Sequence, residues 1–95
     1  MHETGIVRDL VRKVESAAAQ AGAGSVREVQ VWLGALSGFS PAHFREHFDE
    51  EVRGTSAEHA MLRIVASYDV HDAHAQHVML QSLELEVPDG GGESK

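Results

Sequence analysis

The sequence contains no cysteine, only two prolines and few aromatic residues. Without thiols, neither a disulfide framework nor a thiolate zinc site can form, so we expect no structural zinc. No apolar run reaches the roughly 20 residues of a membrane-spanning helix, and the first residues lack the basic-then-apolar plan of a secretion signal. We therefore expect a cytoplasmic protein with no membrane partner.

Positive charge is also scarce. Lys and Arg number 8 against 15 Asp and Glu, which gives a formal net charge of −7. Nucleic-acid-binding modules carry a basic face, so this balance argues against a nucleic-acid partner and favours cations or basic partners. The 95 residues, 42% of them hydrophobic, indicate one small domain, near the lower size limit at which a hydrophobic core is stable without disulfides or a structural metal.

Two segments have the pattern of amphipathic helices. In residues 3–21 apolar residues recur at intervals of three, four and seven, and the segment ends at the glycine-containing stretch AGAGS. In the second segment, residues 37–54, Ser40 can cap the helix, Pro41 suits its first turn and Gly54 follows its last apolar residue. The predicted buried stripes are Val7, Leu10, Val11, Val14, Ala18 and Ala21 in the first helix, and Phe44, Phe48 and Val52 in the second.

Three further segments have the pattern of strands, in which apolar residues alternate with polar ones or follow one another in a short run. They are residues 27–34, 61–68 and 77–87. The order is α-β-α-β-β. A strand-helix-strand crossover predicts that the first two strands are parallel, and the short link YDVHDAHAQ predicts that the last two are antiparallel neighbours. We expect an α+β fold, a three-stranded mixed sheet with two helices packed on one face. Residues 1–87 form this domain, and the Gly-rich residues 88–95 form a disordered polar tail.

Seven histidines make metal binding a question for each cluster. The stretch from His43 to His47, HFREH, satisfies the H-x-x-E-H pattern of inverted zinc proteases, in which two histidines hold zinc and the glutamate acts as base. The pattern is short, and a protease also needs a third ligand and a substrate cleft. We favour the interpretation that His43 and His47 are solvated residues flanking the Phe44/Phe48 stripe.

The segment HDAHAQH places three histidines and an aspartate in the link between two predicted strands. Imidazole and carboxylate suit zinc, nickel or copper, and a loop can fold around one ion. Against this, the spacing of the histidines ensures convergence on neither a helix nor a strand. A secondary metal site and an ordinary polar turn are therefore both open for these residues: His71, Asp72, His74 and His77.

The amino terminus offers a third set of ligands. The α-amine of Met1, the amide nitrogen and imidazole of His2, and the amide nitrogen of Glu3 can close chelate rings about one ion. Four nitrogens in a plane suit Ni(II) or Cu(II). The first N–H groups of a helix have no intrahelical acceptor, so their use as ligands breaks no helical bond. The alternative is a start residue followed by two polar residues without a special role.

Three stretches together, MHETGIVRDLVRKVE, VQVWLGALSGFSPAHFREHF and QSLELEV, resemble the HypA/HybF family of hydrogenase nickel-incorporation proteins. The resemblance covers nearly the whole chain, with its pieces in the family's order. It implies a nickel metallochaperone rather than an enzyme, with nickel bound by Met1, His2 and Glu3. It also implies delivery to the large subunit of [NiFe]-hydrogenase together with the nickel-handling GTPase HypB, although some members serve urease.

One departure from the family pattern is large. Family members insert a zinc ribbon with paired C-x-x-C motifs between the last two strands, where this chain has only the link YDVHDAHAQH. We expect a nickel-binding accessory protein for hydrogenase maturation that has no structural zinc. The alternative is a degenerate paralogue that acts as a protein-interaction or regulatory module without delivering metal. The client enzyme and the oligomeric state, a homodimer included, stay open.

Overall fold

The computed structural model describes residues 3–87, with side chains from residue 5 onward. The predicted tail, residues 88–95, and the first two residues of the predicted nickel motif lie outside the described residues. The elements follow the predicted order α-β-α-β-β, with ends within two residues of the predicted ones. They are α1 Glu3–Gln20, β1 Ser25–Leu33, α2 Pro41–Glu51, β2 Met61–Ala66 and β3 Val78–Glu86.

The sheet has the strand order β2-β1-β3, with β1 in the centre. β1 and β2 are parallel, as predicted from the crossover through α2, and β1 pairs with β3 in antiparallel orientation. The prediction that β2 and β3 are neighbours is therefore wrong. β1 is the most buried strand, so a hairpin of β2 and β3 would leave one edge of its backbone without hydrogen-bond partners. β3 pairs with that edge.

The core lies between the two helices and one face of the sheet. Apolar side chains from α1, α2 and β1 interlock there, and no polar or charged residue among those described is buried. Ala21, predicted to end the α1 stripe, is exposed because the helix already ends at Gln20. The buried residues that the patterns predicted are Val7, Leu10, Val11, Val14, Ala18, Val29, Val31, Leu33, Phe44, Phe48 and Val52.

A few polar contacts join the elements around this core. On the open face of the sheet, Arg63 of β2 and Glu28 of β1 form an ion pair of 2.9 Å. The guanidinium of Arg45 on α2 donates to the carbonyl oxygen of Leu62 on β2 at 3.1 Å, which ties the helix to the strand that follows it. Within the described part of the chain, no helix is both long and apolar enough to cross a membrane.

Candidate metal centre

The predicted nickel motif, Met1 to Glu3, leads into α1, whose first residue is Glu3. Met1 and His2 lie outside the described residues, and Glu3 is described only as the first residue of α1. The ligand set is thus still a prediction. What the structure adds is the anchoring of the helix behind it, since Val7 and Val14 are 0% and 1% exposed. From Val7 onward, α1 is therefore anchored in the core.

An open cleft of about 580 Å³ lies beside the first turns of α1. One wall is formed by α1, and the other by the end of the β2–β3 link and the start of β3. The amino-terminal half of α1 and the last histidine of the link therefore line the same cleft. The lining residues are Ile6, Asp9, Leu10, Lys13, His77, Val78, Met79 and Leu80.

The β2–β3 link, residues 67–77, crosses the carboxyl end of β1. The N–H of Gly34 donates to the carbonyl oxygen of His77 at 2.9 Å, and the N–H of Leu36 donates to that of Ala75 at 2.7 Å. A Cβ added to Gly34 would overlap the carbonyl group of Ala75 and lie 2.7 Å from the carbonyl oxygen of His74. The absence of a side chain at Gly34 thus allows the link to pack against β1.

Inside the link, the aspartates are used to build turns. A carboxylate oxygen of Asp69 accepts from the N–H of His71 at 2.9 Å, and one of Asp72 accepts from the N–H of His74 at 2.7 Å. These are Asx turns, which fold a short loop without help from a metal. One of the two carboxylate oxygens of Asp72, Oδ1, is therefore already engaged with the backbone.

The histidines of the link do not converge with that carboxylate. His71, His74 and His77 are all exposed, and only the last two rings approach one another, with centroids 5.5 Å apart and planes nearly perpendicular. Among residues 5–87, no three metal-binding side chains are grouped so that they could hold an ion. A metal site in this turn stays a prediction, and it requires the link to rearrange.

His43 and His47 adopt an arrangement that the sequence did not reveal. They lie one helical turn apart on α2, both half-buried, with their Nε2 atoms 3.0 Å from each other and ring centroids 4.7 Å apart. The ring of Phe39 contacts both imidazoles, at centroid distances of 5.7 Å and 6.3 Å. Their interpretation as solvated flanking residues is therefore incomplete. The available signal was their i, i+4 spacing behind an aromatic residue.

The same geometry does not support a protease. Glu46, the general base of that motif, is exposed, and the described residues bring no third ligand to the two histidines. A hydrolytic zinc site needs three protein ligands and an open position for water.

Comparison with known proteins decides the family. A family model described as "Hydrogenase/urease nickel incorporation, metallochaperone, hypA" matches residues 1–86. The chain belongs to the HypA family. The function of that family is nickel incorporation by a metallochaperone, and the match includes the Met1–Glu3 motif, both helices and all three strands.

Two solved structures confirm the HypA fold. The solution structure of the Ni metallochaperone HypA from Helicobacter pylori aligns with a TM-score of 0.75 at 20% identity, covering 93% of this chain and 100% of that chain. A second solution structure of a HypA protein aligns with a TM-score of 0.73 at 20% identity, covering 93% and 98%. No curated protein shows a significant match. The donor set for a HypA zinc ribbon does not fit this sequence, because it has no cysteine to supply thiolates.

Proposed function

We propose that this HypA-family chain binds Ni(II) through Met1, His2 and Glu3 and delivers it, in the cytoplasm, to the large subunit of [NiFe]-hydrogenase with HypB as a partner. The observation that carries the proposal is the family match, which begins at residue 1 and so includes the motif. The beginning of α1 at Glu3 supports it, because the backbone N–H groups of a first helical turn need no helical acceptor.

The chain's own contribution is to hold a small chelate at a fixed place. The amine of Met1 and the imidazole of His2 are nitrogen donors, which Ni(II) favours, and both must lose a proton to bind. The chelate lies at the start of α1, whose apolar stripe is buried in the core shared with β1 and α2. A chelate on an anchored helix can be presented to a client protein without unfolding the carrier.

A pair of histidine variants tests the binding step. His2→Ala should abolish high-affinity nickel binding, measured by calorimetry on untagged protein, because it removes the imidazole donor. His59→Ala is the matched control, since His59 is an exposed histidine in the turn before β2. Both variants should keep the far-UV circular dichroism of the parent. Undiminished nickel affinity in His2→Ala would refute the proposed ligand set.

A cell assay tests delivery. In cells that lack their own HypA, the parent chain should restore hydrogenase activity at low nickel, whereas His2→Ala should not. The alternative, an interaction or regulatory module, is favoured by the missing cysteines of the zinc ribbon. That alternative predicts that neither chain restores activity and that the parent chain binds no nickel with high affinity.

A further inference from the structure

We propose that His43 and His47 form a second binding site, bidentate and specific for nitrogen-preferring divalent ions such as Ni(II) or Cu(II). Nothing in the nickel motif requires these residues, which lie on α2 and not on the helix that follows the motif. The observation that carries the proposal is the convergence of the two Nε2 atoms.

The separation of those atoms fits an ion between them. Metal–imidazole bonds are about 2.0–2.1 Å long, so two nitrogens meeting at a right angle on one ion lie about 2.9 Å apart. The Nε2 atoms of His43 and His47 are 3.0 Å apart. In the absence of an ion, one ring donates its N–H to the other, and a bound cation would take the place of that proton. Little movement of either ring is needed.

The surroundings hold both rings in place. Phe39, only 9% exposed, contacts the two imidazoles on one side and packs edge-on against the buried ring of Phe44 on the other, at 5.3 Å. The backbone beneath them is equally fixed, since the Ser40 hydroxyl accepts from the N–H of His43 at 3.1 Å. Preorganised ligands lose less conformational entropy on binding than ligands on a mobile loop.

The charge of α2 favours a cation at this position. Glu46 follows His43 by three residues and Glu50 follows His47 by three, so both carboxylates lie near the pair on the helix surface. Their charge offsets the positive end of the helix dipole, which opposes a cation at the start of a helix. Among residues 5–87 no third metal-binding side chain joins the pair, so the site has two ligands from this part of the chain. The site is thus weaker than a four-nitrogen chelate and exchanges its ion faster.

The test separates this site from the amino-terminal one. Adding Gly-Ser before Met1 of the full-length protein removes the chelate formed by the Met1 amine. Calorimetry should show that this extended protein still binds one equivalent of Cu(II) or Ni(II). In the extended protein, His47→Gln and His43→Gln, made separately, should each abolish this metal binding while keeping the helix content measured by circular dichroism. His59→Gln is the matched control and should leave it unchanged.

A further arm excludes the β2–β3 link. Changing His71, His74 and His77 together to Ala in the extended protein should leave the bound equivalent of metal unchanged. The electron paramagnetic resonance spectrum of this triple variant with Cu(II) should show coupling to imidazole nitrogens, and His47→Gln should remove that coupling. The proposal is overturned if the extended protein binds no metal, if His47→Gln retains it, or if the triple change removes it. His47→Gln can also be made in the untagged parent, where it should remove the same equivalent of metal whether or not the nickel motif binds. The two proposals can therefore fail independently.

Discussion

At the scale of single residues, Gly34 decides where the chain can go after β2. The link crosses the end of β1 with the carbonyl groups of residues 74 and 75 lying where any other residue would place its Cβ. The hydrogen bonds from Gly34 to His77 and from Leu36 to Ala75 then hold β3 in position beside β1. A missing side chain thus permits the strand order of the whole sheet.

The first prediction follows from this contact. Gly34→Ala should lower the free energy of unfolding by about 1–3 kcal/mol, since the backbone must shift to admit one methyl group. Chemical denaturation measures it. Gly24→Ala is the matched control, because a Cβ at Gly24 meets nothing within 4 Å and its φ is not positive. Equal stability of Gly34→Ala and the parent would show that the link does not need the close approach.

At the scale of elements, α2 shows how local sequence signals become structure. Ser40 caps the helix, Pro41 is its first residue, and Phe44 and Phe48 are 0% and 1% exposed. All of this was predictable from spacing. The orientation of the two histidine rings was not, since it depends on the packing of Phe39, which precedes the helix and points back onto it.

The second prediction concerns the cap of α2. Ser40→Ala should reduce stability by about 1 kcal/mol, because the N–H of His43 loses its acceptor. Thermal or urea unfolding gives the value. Ser16→Ala makes the same chemical change on the exposed side of α1. It removes a surface hydrogen bond of 3.3 Å from the Gln20 side chain, but alanine is the better helix former, so the variant should be close to neutral. A cap variant as stable as the parent would contradict the role given to Ser40.

The strand order shows where sequence patterns stop. Alternation located β1, β2 and β3, and the crossover through α2 predicted the parallel pair. The neighbour of β3 was predicted from the shortness of the link alone, although residues 67–77 can span the roughly 10 Å of two strand spacings. The choice depends on which strand is most buried, and hence on where unpaired backbone groups cost most. That is a property of the assembled sheet.

At the scale of the whole molecule, we expect the apolar core to be sufficient to fold the chain without metal. The described core is formed by two helices and a sheet, and contains no buried polar or charged residue that would need an ion for compensation. No thiolate zinc site can contribute, since the sequence has no cysteine. The predicted nickel ligands precede Val7, the first buried residue among those whose side chains are described, so we expect occupancy of the motif and folding of the core to be separate events.

The third prediction is that chelation leaves the protein folded. Dialysis against EDTA should change neither the ellipticity nor the melting temperature, in contrast to a zinc finger, which unfolds without its ion. Added nickel should raise stability only by mass action, about 2.7 kcal/mol at a free concentration of 100 times the dissociation constant. A large loss of ellipticity after EDTA treatment would mean that a metal is part of the core.

The central claim is that the free amino terminus is itself a nickel ligand, and one titration tests it most directly. Nickel binding is compared by calorimetry between the untagged chain and the same chain with its Met1 amine acetylated, a change that alters no side chain. We predict that acetylation abolishes the high-affinity equivalent, because the chelate loses its first nitrogen donor. Equal nickel affinity in the two proteins would contradict the claim and would place the nickel elsewhere in the molecule.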